Sequence, residues 1–101
     1  MLKIDHIADI IAADRWSYRT SSGEAAVSRI EVGRPQRALE DPNGDWYCPV
    51  FVEGFTSRIV PAYGVGPVDA LLNAMMLVKS FADQMGDFAP RAGASKHETS
   101  A

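Results

Sequence analysis

The sequence predicts an α+β fold: a four-stranded antiparallel meander with one long C-terminal helix packed on one face. Residues 67–85 form the longest stretch with a helical apolar period, and the chain before them alternates apolar and polar residues between turn signals. The 101 residues, 47% of them apolar, suit one domain with a substantial core. We expect that domain to span residues 1–88, followed by a disordered tail over residues 89–101.

The strands follow from alternation and from turn residues. The four predicted strands cover residues 10–20, 25–32, 45–55 and 58–63. The turn Ser21–Glu24 makes the first two a hairpin, and residues 36–45 form a polar loop before the third strand. Pro49 and Pro61 cannot donate to a ladder, so each indicates an edge strand or a bulge. The lead-in, residues 1–9, is predicted as a short helix or a loosely held segment.

The helix has recognisable ends. Gly66 can serve as its N-cap, Pro67 suits the first helical position, and Asp69 meets the positive end of the dipole. Gly86 is placed to end the helix in a left-handed conformation. One broad apolar face is predicted to pack on the sheet. It consists of Ala70, Leu71, Ala74, Met75, Val78, Phe81, Ala82 and Met85.

Two apolar residues of the helix fall among its polar positions. Leu72 and Met76 are four apart and therefore touch each other on the helix surface. Either a loop, the tail or a second subunit covers them, or they form a partner-binding spot, since methionine adapts to irregular surfaces.

Composition excludes several classes of function. The net charge is −3 and no basic stripe appears, so direct nucleic-acid binding is not expected. No apolar run is long enough to span a membrane, and the N-terminus lacks the order of a signal peptide. The single cysteine, Cys48, cannot form an internal disulfide, which favours a reducing cytoplasm.

The sequence contains no group of residues whose types and spacing indicate catalysis or metal binding. Cys48 on an apolar strand face is typical of packing, while His6 and His97 are predicted to be solvated, so no catalytic residues are assigned. Metal-ligating residue types are scattered, and no phosphate-binding glycine loop has the required spacing, so we assign no metal or cofactor. The turn Gly64–Gly66 is predicted to be a connection rather than an anion site.

Acidic and aromatic residues are concentrated around the start of the third strand. Glu40, Asp41 and Asp45 lie in or beside the polar loop, and Trp46 and Tyr47 follow at once. Aromatic side chains anchor interfaces and acidic ones steer a basic partner toward them. We therefore predict that these five residues form a partner-binding surface, with Leu72 and Met76 as a second patch.

Several short segments resemble a family of small bacterial domains with no established activity. They are Ile30–Pro35, Asp45–Pro49, Gly54, Ala62–Val65 and Asp69–Leu71. Members share a strand ending in Gly-Arg-Pro, an Asp-Trp-x-Cys-Pro strand, and a Tyr-Gly-Val-Asp turn into an Ala/Leu-rich helix. This chain departs from the pattern by inserting Gly66–Val68 before the helix aspartate. The resemblance covers about residues 11–81 and implies the fold and a bacterial origin, without catalytic residues.

The profile is similar to that of immunity proteins, which mask the active site of a cognate toxin. Because nuclease toxins are often basic, acidic residues would complement one, and a basic toxin domain is the expected partner. The first alternative is a small enzyme or ligand-binding domain, with a sheet–helix pocket lined by Cys48, Arg58 and Tyr63. The second is a homodimer or larger homo-oligomer, joined through a proline-marked edge strand or through Leu72 and Met76.

Overall fold

The computed structural model describes residues 4–90 and confirms the α+β class, one antiparallel sheet with one long helix. Its elements are β1 (Ile10–Arg19), β2 (Ala25–Gly33), β3 (Gln36–Arg37), β4 (Trp46–Val52), β5 (Val60–Gly64), α1 (Pro67–Met85) and β6 (Ala89–Pro90). The four longer strands correspond to the predicted ones. The sheet nevertheless has six strands rather than four, because the two-residue strands β3 and β6 extend the pairing.

β4 lies inside the sheet and not at its edge. Val50 pairs with Val32 of β2 on one side and with Val60 of β5 on the other. The prediction that Pro49 marks an edge strand is therefore wrong. Its alternative, a bulge, fits the pairing better, because the three residues 33–35 lie opposite only Cys48 and Pro49. Pro49 pairs with Pro61 of β5, and its other side faces the break between the last paired residue of β2 and the start of β3. No ladder bond is needed there, so a proline is accommodated.

The lead-in is tied to the sheet without forming a helix. Residues 4–9 have no helical turn, so the short N-terminal helix is wrong for the described part of the lead-in. A Cβ on Gly33 would lie 2.6 Å from Ile7 Cγ2, which shows how closely the lead-in approaches β2. The Arg34 backbone N–H donates to the Asp9 carbonyl oxygen at 2.9 Å, and the two side chains form an ion pair.

α1 begins and ends as its sequence predicts. Gly66 is the extended N-cap, and Gly86, with φ of 82°, is the C-cap that donates to the Ala82 carbonyl. At the start, the Val65 backbone N–H donates to Asp69 Oδ2 at 3.0 Å. The carboxylate thus satisfies a donor beside the helix N-terminus, in the manner of a capping box.

The core lies between α1 and the sheet. Small helix residues, Ala70 and Ala74, pack with Val78 against a layer of buried strand side chains. That layer consists of Ile30, Val32, Cys48, Val50 and Val52. Met75 and Met85, which the sequence placed on the buried helix face, lie exposed at its margins.

Phe88 closes the core beyond the helix. Its ring lies 4.6 Å from that of Phe55 and 5.1 Å from that of Trp16, centroid to centroid. Ala89 and Pro90, predicted to begin a disordered tail, instead pair with Ser17 and Trp16 as β6. The rest of the predicted tail, residues 91–101, lies outside the described residues. Over residues 4–90, no helix combines the length and the apolarity needed to cross a bilayer.

Candidate functional site

An open cleft of about 550 Å³ lies where β3, β4 and β5 meet the 38–45 loop. It is lined by residues 36–41, Asn43, Asp45, Tyr47 and Tyr63. Four predicted partner-binding residues, Glu40, Asp41, Asp45 and Tyr47, are thus brought together on one surface. The lining residues include three acidic side chains and one basic side chain, that of Arg37, so the cleft is acidic overall.

Asp41 organises the loop that forms the acidic wall. Its Oδ1 accepts from the Asn43 backbone N–H at 3.1 Å and its Oδ2 from the Asp45 N–H at 3.3 Å. The Ala38 backbone N–H donates to the Asp45 carbonyl at 2.8 Å, and Gly44, with φ of 68°, supplies the left-handed residue of the turn. The loop therefore holds Asp41 and Asp45 side by side through its own hydrogen bonds.

Asp45 is the electrostatically perturbed member of the cleft. Desolvation raises the pKa of its carboxyl first, followed by the charge of Asp41, a side-chain hydrogen bond with Asp41, and the charge of Asp69 at the helix start. All of these effects act against the ionised form of Asp45. A cationic group bound here would favour that form and would lower the pKa of Asp45.

Apolar and aromatic groups surround the carboxylates. Leu39 is 87% exposed on the loop, and Tyr63 is also exposed on β5. The Tyr47 hydroxyl donates to Gln36 Oε1 at 3.3 Å, which orients its ring at the cleft. Sequence reasoning did not select Leu39, although a leucine directly before two acids in a polar loop was the available signal.

Trp46 takes a different position from the other predicted residues of this group. Its side chain packs against the core, and the Arg37 guanidinium lies 5.7 Å from its ring centroid. The alternation of β4 places neighbouring residues on opposite faces, so Trp46 and Tyr47 cannot both line the cleft. Trp46 instead supports the cleft by positioning Arg37 through a cation–π contact.

Leu72 and Met76 lie on the outer side of α1, away from the sheet, and both are exposed. They do not contribute to the cleft lining. The two predicted patches are therefore separate surfaces.

The pocket of Cys48, Arg58 and Tyr63 proposed as an alternative is not assembled. Cys48 is fully buried in the core, where its Sγ donates to the Gly33 carbonyl at 3.2 Å, and burial raises the pKa of its thiol. Tyr63 lies in the acidic cleft, while Arg58 borders a separate cavity beside Phe51.

His6 is exposed, and His97 lies outside the described residues. Within residues 4–90, no three His, Cys, Asp or Glu side chains are grouped closely enough to hold a metal ion.

Two residues of the predicted connecting turn, Val65 and Gly66, form hydrogen bonds within the chain. The Val65 N–H donates to Asp69, and the Gly66 carbonyl accepts from the Ala70 N–H at 3.0 Å.

Comparisons of the chain with protein-family models, with curated proteins and with solved structures found no match.

Proposed function

We propose that this chain is a non-catalytic protein-binding module that holds a basic segment of a partner protein in the acidic cleft. The observation that carries the proposal is the cleft itself, in which Glu40, Asp41 and Asp45 are combined with Tyr47 and an exposed Leu39. Interfaces are anchored by aromatic and apolar groups and oriented by charge, and this surface has both.

The raised pKa of Asp45 gives a physical reason for a cationic ligand. The free cleft keeps two adjacent carboxylates close together, and a Lys or Arg side chain would relieve their repulsion. The carboxylates are spread along the loop and are not grouped for a metal ion, an arrangement that suits an extended basic segment. Charge at the rim of an interface acts mainly on the association rate and on its salt dependence.

The partner class we propose is a cognate bacterial toxin domain of the nuclease type, which makes the chain an immunity protein. Nucleases that bind the phosphate backbone carry basic surfaces around their active sites. An acidic module docked on such a surface would block access of nucleic acid without performing chemistry. The net charge of −3 and the acidic cleft support this assignment.

The first experiment tests the cleft with an oligolysine peptide as probe. In NMR titrations of the chain with this peptide, we expect the backbone amide shifts of residues 38–47 and Tyr63 to change most. The affinity of the chain for the peptide should fall steeply as the salt concentration rises. The variant Glu40→Gln/Asp45→Asn should weaken binding roughly three- to tenfold, since each exposed charge contributes about 0–1 kcal/mol. Asp41 is left unchanged because its carboxylate holds the loop.

The matched control is Glu24→Gln/Asp87→Asn. It removes the same number of charges from two exposed residues outside the cleft. Equal weakening by both variants would mean that the probe responds to net charge alone, and the cleft would lose its assigned role.

The second experiment tests the partner class. The chain is co-expressed with the product of the neighbouring reading frame, and the nuclease activity of that product is measured with and without the chain. We expect a complex of fixed stoichiometry that loses nuclease activity. Leu39→Ala should weaken that complex more than either charge substitution, because burying a leucine side chain contributes about 1.5–3 kcal/mol and an exposed charge about 0–1 kcal/mol. A neighbouring product that neither binds the chain nor changes activity in its presence would contradict the toxin assignment.

A further inference from the structure

The loop that forms the acidic wall of the cleft contains the dipeptide Asn43–Gly44. Asn43 is exposed and lines the cleft. The glycine that follows it has no Cβ, so its backbone nitrogen is open to approach by the Asn43 side chain. Asparagine is one of the thermolabile residue types, and the chain contains one other, Asn73 in α1, which allows an internal comparison.

An asparagine side chain followed by glycine can react with its own backbone, and the reaction needs only water. The Gly44 nitrogen gives its proton to the solvent and attacks the side-chain carbonyl carbon of Asn43. The new bond joins that nitrogen to that carbon, the bond from the carbon to Nδ2 breaks, and the amide nitrogen takes up a proton and leaves as ammonia. Water then opens the cyclic imide at one of its two carbonyl carbons. The product is either an aspartate at position 43 or an isoaspartate, in which the backbone runs through the side chain.

The turn around Asn43 restrains this reaction. The Gly44 N–H donates to the Asp41 carbonyl oxygen at 2.9 Å, which closes a four-residue turn and engages the nitrogen that would attack. The Asp41 carboxylate holds the same turn through two more backbone groups, the N–H of Asn43 at 3.1 Å and that of Asp45 at 3.3 Å. The Gly44 nitrogen therefore becomes available when these hydrogen bonds break.

We propose that Asn43 is a site of spontaneous deamidation and that Asp41 sets its rate by holding the turn closed. The two N–H groups that the Asp41 carboxylate accepts from lie on either side of the reacting nitrogen of Gly44. Hydrogen bonds to an ionised carboxylate are stronger than those between neutral groups, so their loss increases the fraction of time that the turn is open. Asp41 acts through the turn and is a positioning residue.

Asn73 differs from Asn43 in each of these respects. It lies inside α1 and precedes Ala74, which is fully buried. Its Nδ2 donates to the Tyr63 carbonyl oxygen at 2.7 Å, which fixes the side chain away from the following backbone nitrogen. That nitrogen is in turn part of the helical hydrogen-bond ladder. We expect Asn73 to stay intact for as long as the chain is folded.

Deamidation changes the wall of the cleft. The lining already includes the acidic side chains of Glu40, Asp41 and Asp45, and an acid at position 43 adds a further negative charge among them. The isoaspartate product also lengthens the backbone inside the turn, which removes the geometry of the Gly44–Asp41 hydrogen bond. The reaction needs no ligand, so this proposal does not depend on the proposed function.

The test is incubation of the full chain at neutral and mildly alkaline pH, with mass spectrometry of its peptides to separate asparagine, aspartate and isoaspartate. We expect conversion at Asn43 and none at Asn73, with a rate that rises with pH because the attacking nitrogen must lose a proton. The chain unfolded in guanidinium chloride should lose Asn43 faster than the folded chain. Asp41→Ala should accelerate the loss of Asn43 in the folded chain roughly three- to tenfold, the factor expected for hydrogen bonds to an exposed carboxylate.

The matched control is Glu40→Ala. It removes an exposed carboxylate from the same loop and leaves both hydrogen bonds of the Asp41 side chain in place, so the rate at Asn43 should stay nearly unchanged. Circular dichroism and an intact Asn73 verify that each variant is folded. Equal acceleration by the two variants would mean that negative charge, and not the turn, sets the rate. A folded chain that keeps Asn43 intact while the unfolded chain loses it would remove the site, and either result overturns the proposal.

Discussion

The contact between β5 and α1 yields a sharp prediction because it has no room for a methyl group. A Cβ on Gly64 would lie 2.3 Å from the Ala70 backbone nitrogen and 2.6 Å from the Asp69 carbonyl carbon. Ordinary contact begins near 3.4 Å, so Gly64→Ala must push the strand end and the helix start apart by about 1 Å. The obstructing atoms are backbone atoms of the first helical turn, and no side-chain rotation can relieve the clash.

Overpacking of a core costs about 1–3 kcal/mol, and a clash with backbone belongs at the upper end of that range. We therefore expect Gly64→Ala to lower the free energy of unfolding by about 3 kcal/mol. For a chain of this size the loss corresponds to a melting temperature lower by roughly 12 °C or more. The same displacement would disturb the neighbouring Tyr63 in the cleft.

The assay is urea unfolding followed by circular dichroism, with Gly66→Ala as the matched control. Gly66 lies two residues further on, its backbone is extended, and nothing lies within 4 Å of an added Cβ. The control adds the same methyl group and should cost less than about 1 kcal/mol, because alanine is only a poorer N-cap than glycine. If the two variants proved equally stable, the close approach of β5 to α1 would be refuted.

Three further predictions concern the core and the cleft. Phe88→Ala should lower the free energy of unfolding by about 3–5 kcal/mol, measured by urea unfolding, because the ring is buried against three aromatic partners. A loss below about 1 kcal/mol would contradict the place of Phe88 in the core. Ser28→Ala removes a fully buried hydroxyl that donates to the Glu53 carbonyl at 2.7 Å. It should lower the free energy of unfolding by about 1–3 kcal/mol in the same assay, whereas Ser57→Ala, at an exposed serine, should leave it nearly unchanged. Asp45→Asn should raise the melting temperature at neutral pH and not near pH 3, as thermal melts at both pH values would show. The folded-state pKa of Asp45 lies above its ordinary value of 3.8, so its ionisation opposes folding as pH rises through that raised pKa, and below 3.8 the carboxyl is protonated in both states. An equal gain at both pH values would exclude an electrostatic origin.

The helix was predictable because its boundaries are local. Gly66, Pro67 and Gly86 act within a turn of the chain, and the structure places α1 at Pro67–Met85 as the sequence indicates. The two odd residues, Leu72 and Met76, were also visible as a break in the pattern, and both are exposed.

The position of Pro49 was not predictable, because it depends on a partner strand distant in sequence. Within the sequence, a proline indicates an edge strand. β4 is nevertheless central, and because neither β2 nor β3 pairs with Pro49, no ladder hydrogen bond from the nitrogen of Pro49 is needed. The short strands β3 and β6 carry no pattern of their own at two residues each. They form because longer neighbours, β4 and β1, offer free backbone groups.

The cleft was predictable in composition but not in shape. The acids and Tyr47 are close in sequence, so their clustering required only a compact loop, which Asp41 supplies. Tyr63 joins them from β5 through strand pairing, since Tyr47 and Tyr63 are opposite each other in the ladder. Trp46 was assigned to the same surface because it follows Asp45, and strand alternation sends it to the other face.

The most direct test of the proposed function is the pKa of the Asp45 carboxyl, followed by carbon-13 NMR, in the free chain and with saturating oligolysine. A basic segment bound in the cleft must favour the ionised form of Asp45, so the pKa of that carboxyl should fall on binding. An Asp45 titration that is the same with and without the bound peptide would show that the cation does not enter the cleft.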